Sequence, residues 1–231
     1  MWRMVGRTAA ALRRSLGEET PRRLVHASGS VLPLLYLLDL AAWRQVQALF
    51  VVGSLAAAAL EVLRLSVGLD WRIYDRLTRS YEQDNVAGYA YYMFSTTAVV
   101  LAFEPRIAIP SVLMLTIGDP ISGLAGSGEL RRVKRPRALA AMFGTCVALA
   151  APFLYRTPLA VLLGALVATI ADGVKPTVEG YIIDDNLTIP PAAAGAIWAG
   201  LELSATFGIK LSAAFGLELS AAVLSVTAAV L

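Results

Sequence analysis

Four carboxylates gather in one polar stretch between two apolar runs, Asp172-Gly-Val-Lys175-Pro-Thr-Val-Glu179-Gly-Tyr-Ile-Ile-Asp184-Asp185-Asn186-Leu-Thr188-Ile-Pro190. Hard oxygen donors of this kind suit Mg2+, which takes one or two protein carboxylates together with substrate phosphates. Ionisable groups beside a bilayer are costly and mark a site or a pathway. A solvated acidic turn, with Asn186 or Thr188 capping a helix that starts near Pro190, accounts for one of these residues but not for four carboxylates.

A second stretch pairs acid with glycine and base. Gly118-Asp119-Pro120-Ile-Ser-Gly123-Leu-Ala-Gly126-Ser-Gly128 ends an apolar run, and Glu129-Leu-Arg-Arg132-Val-Lys134-Arg135-Pro-Arg137 follows. Glycines let backbone N–H groups approach phosphate oxygens, and the five basic residues can neutralise a triphosphate. Neither a P-loop nor a dinucleotide fingerprint is present. A basic loop between spans also serves topology alone. Asp119, a carboxylate at the end of an apolar run beside a helix-breaking proline, invites a metal or a cationic partner.

Two further groups are smaller. Arg22-Arg23-Leu-Val-His26 precedes the first apolar run and holds the single histidine of the chain. Arg23 and His26 are three residues apart, so they share a helical face and can meet a phosphate or orient an acid; a topological anchor is the plainer reading. Glu61-Val-Leu-Arg64 has i, i+3 spacing that suits an ion pair, and Arg79 and Glu82 come later. The segment between, from Val67 to Arg79, is amphipathic and suits the headgroup region.

The elements that position these groups are apolar helices. The 231 residues are 57% hydrophobic with a mean hydropathy of +0.64, too apolar for one soluble domain. Stretches near spanning length are Val25 to Trp43, Val46 to Val67, Val86 to Phe103, Ile107 to Leu124, Ala138 to Tyr155, Pro158 to Val174, Leu187 to Leu203 and Ile209 to Leu231. The expected fold is therefore an all-α, polytopic transmembrane bundle of seven or eight spans. It divides into a basic cytoplasmic segment (1–24), a transmembrane catalytic region (25–203) and a low-complexity C-terminal span (204–231).

With the N terminus cytoplasmic, sixteen of the twenty lysines and arginines fall on inside segments and four outside, a positive-inside bias that brings every long polar loop to the cytoplasmic face of the plasma membrane. The basic excess is thus topological, and the net charge of +3 offers no ground for nucleic-acid binding. The single cysteine, Cys146, excludes an internal disulfide framework and a cysteine metal cluster. From Gly200 an octet nearly repeats and carries Glu202, Lys210 and Glu218 off any common helical face; it reads as lipid-facing spans, not a site.

Taken in order, these groups resemble the integral-membrane polyprenol kinase family, whose members include CTP-dependent dolichol, phytol and diacylglycerol kinases. The resemblance runs over about residues 20 to 200: Arg22, Arg23 and His26; Glu61 and Arg64 with Arg79 and Glu82; Gly118, Asp119, Gly123 and Gly126; a basic segment; Glu179; and Asp185-Asn-Leu-Thr-Ile-Pro190, the most specific element. One departure is that Lys134-Arg-Pro-Arg-Ala-Leu139 stands where the family commonly has Lys-Ser-x-Glu-Gly-Ser, so only Lys134 is carried over from that motif.

The resemblance implies phosphoryl transfer from CTP to an isoprenoid or other lipid alcohol, with Mg2+, at the cytoplasmic interface of a prokaryotic, archaeal-type member. On that basis Asp119, Asp184 and Asp185 hold the metal and Glu179 or Asp172 serves as ligand or base, with Asp185 and His26 beside the reaction. Gly118, Gly123, Gly126, Gly128, Arg132, Lys134 and Arg135 meet the nucleotide. Arg23, Glu61, Arg64, Arg79, Glu82 and Asn186 support the site. Two other readings use the same residues: a membrane cytidylyltransferase making CDP-lipid, and a transporter or non-catalytic scaffold. The acids gather at inner ends and in loops rather than mid-span, which favours an interfacial enzyme.

Overall fold

A computed structural model describes residues 27–67, 85–126, 133–174, 176–178 and 181–207. Helices dominate it, as the apolar runs near spanning length predict. In chain order they are α1 (Val31–Leu37), α2 (Trp43–Val67), α3 (Gly88–Ala102), α4 (Pro105–Leu113), a π-helical turn (Met114–Gly118), α5 (Asp119–Ala125), α6 (Pro136–Leu154), α7 (Pro158–Gly173) and α8 (Asp185–Phe207). Between α7 and α8 the two-residue strands β1 (Thr177–Val178) and β2 (Tyr181–Ile182) pair antiparallel.

Among the described residues three helices are long and apolar enough to cross a membrane: Trp43–Ser66 in α2, the run Pro105–Ala125 formed by α4, the π turn and α5, and α6 (Pro136–Leu154). α7 is apolar but shorter. Leu49, Val52, Leu55, Val62 and Leu65 of α2 are exposed, as on a face meant for lipid rather than water. The stretch Val25 to Trp43, expected as one span, is not a single helix over its described part. α1 has seven residues, the chain turns at Leu38 to Ala42, and Asp39 adopts a left-handed backbone (φ 54°), which aspartate tolerates better than most residues. The last apolar stretch, Ile209 to Leu231, lies outside the described residues.

α2 and α3 are joined by polar contacts within an otherwise apolar seam. Gln47 donates to the Val100 carbonyl (3.0 Å), Ser54 to that of Met93 (3.0 Å), and Thr97 to that of Phe50 (3.0 Å). Such hydrogen bonds hold helices together where lipid removes the hydrophobic drive between them.

The closest pairing is the α7–α8 hairpin, built on small residues. A Cβ placed on Gly200 would lie 2.5 Å from the Cα of Ala160, and one on Gly164 would collide with Ile197. Small residues let two backbones approach in this way. Because Gly200 faces backbone, which cannot rotate aside, Gly200→Val is expected to destabilise the protein by about 1–3 kcal/mol or more. Gly195→Ala, with nothing within 4 Å of the new Cβ, is the matched control and should be neutral or slightly stabilising. Thermal unfolding in detergent reads both; equal melting temperatures would refute the close-approach argument.

The N terminus of α8 departs from the expected start near Pro190. The helix begins at Asp185, so Pro190 and Pro191 lie within it. Asp184, not Asn186 or Thr188, is the cap: its Oδ1 accepts the Asn186 backbone N–H at 2.9 Å. Pro190 has no N–H to give the Asn186 carbonyl four residues back. Ser95 of α3 donates to that carbonyl instead, at 2.5 Å, tying the start of α8 to α3.

Candidate active site

Three carboxylates converge from three helices, Asp172 and Asp185 at helix ends and Asp119 at the junction of the π turn with α5. Asp119 opens α5, Asp172 stands one residue before the end of α7, and Asp185 opens α8. One oxygen from each lies within 4.8 Å of the others. Asp172 and Asp185 are buried, whereas Asp119 is partly open, so the cluster faces outward on the Asp119 side.

Local structure explains how each arrives. The π turn before Asp119 is a wide turn of the sort that recurs at functional sites; Pro120, just after it, cannot donate to the Thr116 carbonyl. Asp172 and Asp185 meet because α7 and α8 run antiparallel, with Gly200 on Ala160 at the far end and β1–β2 reversing the chain at the near end. Ser122, one turn after Asp119, donates to Asp172 Oδ2 at 2.7 Å and so links α5 to α7.

Lys134 completes the cluster from the segment before α6. Its Nζ lies 2.6 Å from Asp172 Oδ1, 3.2 Å from Asp119 Oδ1 and 3.3 Å from Ser122 Oγ. Its backbone N–H donates to the Gly173 carbonyl (3.0 Å), and Val133 bridges Val174, so its Cα is fixed beside the residues that follow Asp172. Burial works against the ammonium, but Asp119, Asp172 and Asp185 outweigh it and hold its pKa above the usual lysine range. Lys134 is therefore charged at neutral pH. Among the described residues three carboxylates surround one ammonium, a set that can attract a divalent cation.

The donor set fits a hard ion. All three ligand candidates are carboxylates, and their spread is close to the roughly 4.2 Å across an octahedral Mg2+. Beside Asp185, Asn186 is 2% exposed and its Oδ1 has no hydrogen-bond partner, an uncommon state for a buried amide oxygen.

The residues singled out in the sequence separate into groups. Asp119, Lys134, Asp172 and Asp185 are together. Asp184 is the helix cap described above, so Asp172 stands in the three-carboxylate group where Asp184 was expected. Gly118 is buried against Met142 and Cys146, a packing role for the π turn. Gly126 donates its N–H to the Ser122 carbonyl at 2.9 Å, and Gly123 lies within the same helix, α5. Arg135 is the N-cap residue of α6.

Glu61 and Arg64 pair at 2.7 Å as their spacing predicts, and Glu61 also accepts from Tyr89 and from the Ala87 N–H (3.2 Å). Arg23, His26, Arg79, Glu82, Gly128, Arg132 and Glu179 lie outside the described residues. Ser122 was not anticipated, although its i, i+3 position after Asp119 was a readable signal.

No family model, curated protein or solved structure matches this chain.

Proposed function

We propose that this protein is an integral-membrane lipid-alcohol kinase that transfers the terminal phosphoryl group of CTP to the hydroxyl of a polyprenol or a related lipid alcohol. The observation that carries this reading is the Asp119, Asp172 and Asp185 cluster, with Lys134, at the ends of apolar helices. The resemblance of its ordered motifs to those of polyprenol kinases supports it. So does the distribution of basic residues, from which we infer a multi-pass protein of the plasma membrane with its N terminus and active face cytoplasmic.

In this reading Asp119, Asp172 and Asp185 would hold Mg2+, which would neutralise charge on the phosphates. Lys134 adds a second positive charge at the same place, and Arg132 and Arg135, basic neighbours in the sequence, would help to neutralise the triphosphate. The alcohol oxygen bonds to the terminal phosphorus as the bond to the leaving CDP breaks, and the hydroxyl proton passes to a carboxylate. Asp172 has both oxygens engaged, by Lys134 and Ser122, and suits a ligand. Glu179 is then the candidate base. The apolar tail stays between helices, so the lipid need not leave the bilayer.

Purified protein incubated with Mg2+, a panel of prenols and diacyl or diether glycerols, and each nucleoside triphosphate is expected to yield a lipid monophosphate and CDP in equal amounts by mass spectrometry. CDP-lipid and pyrophosphate from a lipid phosphate would replace this reading with a cytidylyltransferase. No product from either acceptor would leave a transporter or scaffold.

A further inference from the structure

Lys134 bonds to two of the three carboxylates that a metal would use. Its Nζ holds Asp172 Oδ1 and Asp119 Oδ1. The backbone of the residue is pinned to Gly173, and Pro136 begins α6 two residues later, so the anchor cannot drift away. The four-carbon arm can still pivot, because a lysine ammonium is a compact charge on a flexible stem. A divalent ion drawing on these oxygens would sit within a few ångströms of a fixed positive charge, and the two would repel. A polyphosphate changes that balance, since its oxygens offer the ammonium a new partner.

We infer that Lys134 is a tethered counter-ion that opposes binding of a divalent ion alone and lets it bind together with a polyphosphate that draws the lysine off Asp119 and Asp172. The inference rests on the kinase reading and adds an order to it. Metal and nucleotide bind cooperatively, and the coupling passes through one side chain. Coupling of this kind is reciprocal, so the nucleotide tightens the metal by the same factor as the metal tightens the nucleotide. Asp119 is the point of arrival: it is the more open carboxylate and its contact with Lys134 is the longer of the two.

The test measures Mn2+ binding to the full-length protein in detergent by the paramagnetic signal of the free ion, with and without β,γ-methylene CTP, which cannot give up its terminal phosphoryl group. Wild-type protein is expected to bind Mn2+ weakly alone and at least about tenfold more tightly with the nucleotide. Lys134→Met is expected to bind Mn2+ alone at least about tenfold more tightly than wild type, and to lose most of the enhancement by nucleotide. Lys134→Arg, which keeps the charge, should retain the wild-type pattern.

Removing the ammonium from beside buried Asp172 can unfold the protein, so Lys134→Gln provides a second uncharged variant. Thermal unfolding with and without Mn2+ is read beside both. A larger metal-induced rise in melting temperature in the uncharged variants than in wild type supports the inference. Uncharged variants that bind free Mn2+ no more tightly than wild type, while wild type binds Mn2+ with nucleotide, overturn the inference and leave the kinase reading standing. Wild-type protein that binds Mn2+ neither alone nor with nucleotide overturns both.

Discussion

Asp172→Asn is expected to lower turnover in the proposed kinase reaction by about a hundredfold to a thousandfold while the protein stays folded. The side chain is fully buried and each oxygen has its own partner, with Oδ1 facing Lys134 at 2.6 Å and Oδ2 accepting from Ser122 at 2.7 Å. The amide keeps the shape: its oxygen can accept from Lys134 while its NH2 donates to the Ser122 hydroxyl oxygen. What it removes is one negative charge of the three that could hold a divalent ion, together with the charge that anchors Lys134. Both losses fall on the charge pattern that a phosphoryl transfer needs.

Asp184→Asn is the informative comparison. Asparagine caps helices about as well as aspartate, so the α8 start survives, and the loss of turnover should stay below about tenfold. Product formation under saturating substrate, with size exclusion and melting temperature as controls for folding, separates the two. Similar losses in both variants would return Asp184 to the metal site; full activity in Asp172→Asn would remove Asp172 from it.

The largest loss of stability is expected from Glu61→Ala, about 3–5 kcal/mol, because it breaks a buried ion pair from one side. Glu61 is 5% exposed and binds Arg64 at 2.7 and 3.1 Å, with the Ala87 N–H and the Tyr89 hydroxyl as further donors. Truncation takes the Glu61 carboxylate away from the guanidinium, which also donates to the Asn85 carbonyl, and removes an acceptor from two donors at the start of α3. Glu61→Gln retains an acceptor and should cost less. Denaturant unfolding in mixed micelles measures the difference, and a Glu61→Ala midpoint equal to wild type would show that this cluster contributes nothing to holding α2 on α3.

Such a cluster was half legible from the residues. The Glu61–Arg64 pair follows from i, i+3 spacing alone, because both partners sit on one turn of one helix. Tyr89 and Ala87 belong to another helix and its cap, and no periodicity connects them to Glu61. The cap of α8 divides in the same way. An acidic or amide residue ahead of a helix is a plain signal, but Pro190 suggested a later start. A proline inside the helix became tolerable because Ser95, ninety-one residues away from Asn186, takes up the carbonyl that the proline leaves without a partner.

What the amino-acid order determined by itself is local or compositional: the apolar runs of α2, α4 to α5 and α6, the polar carboxylate-rich stretch between α7 and α8, the basic loop with Lys134, and the candidacy of Asp119, Asp172 and Asp185. Spacing and hydropathy carry that information because each depends only on neighbours along the chain. The tertiary structure alone decided which carboxylates share a site, since Lys134 and Asp172 are separated by 38 residues and Asp119 and Lys134 by 15. Their meeting depends on α7 and α8 closing on Gly200 and on the π turn delivering Asp119 to the same end. Those contacts are made between helices far apart along the chain, and local spacing does not say which helix meets which.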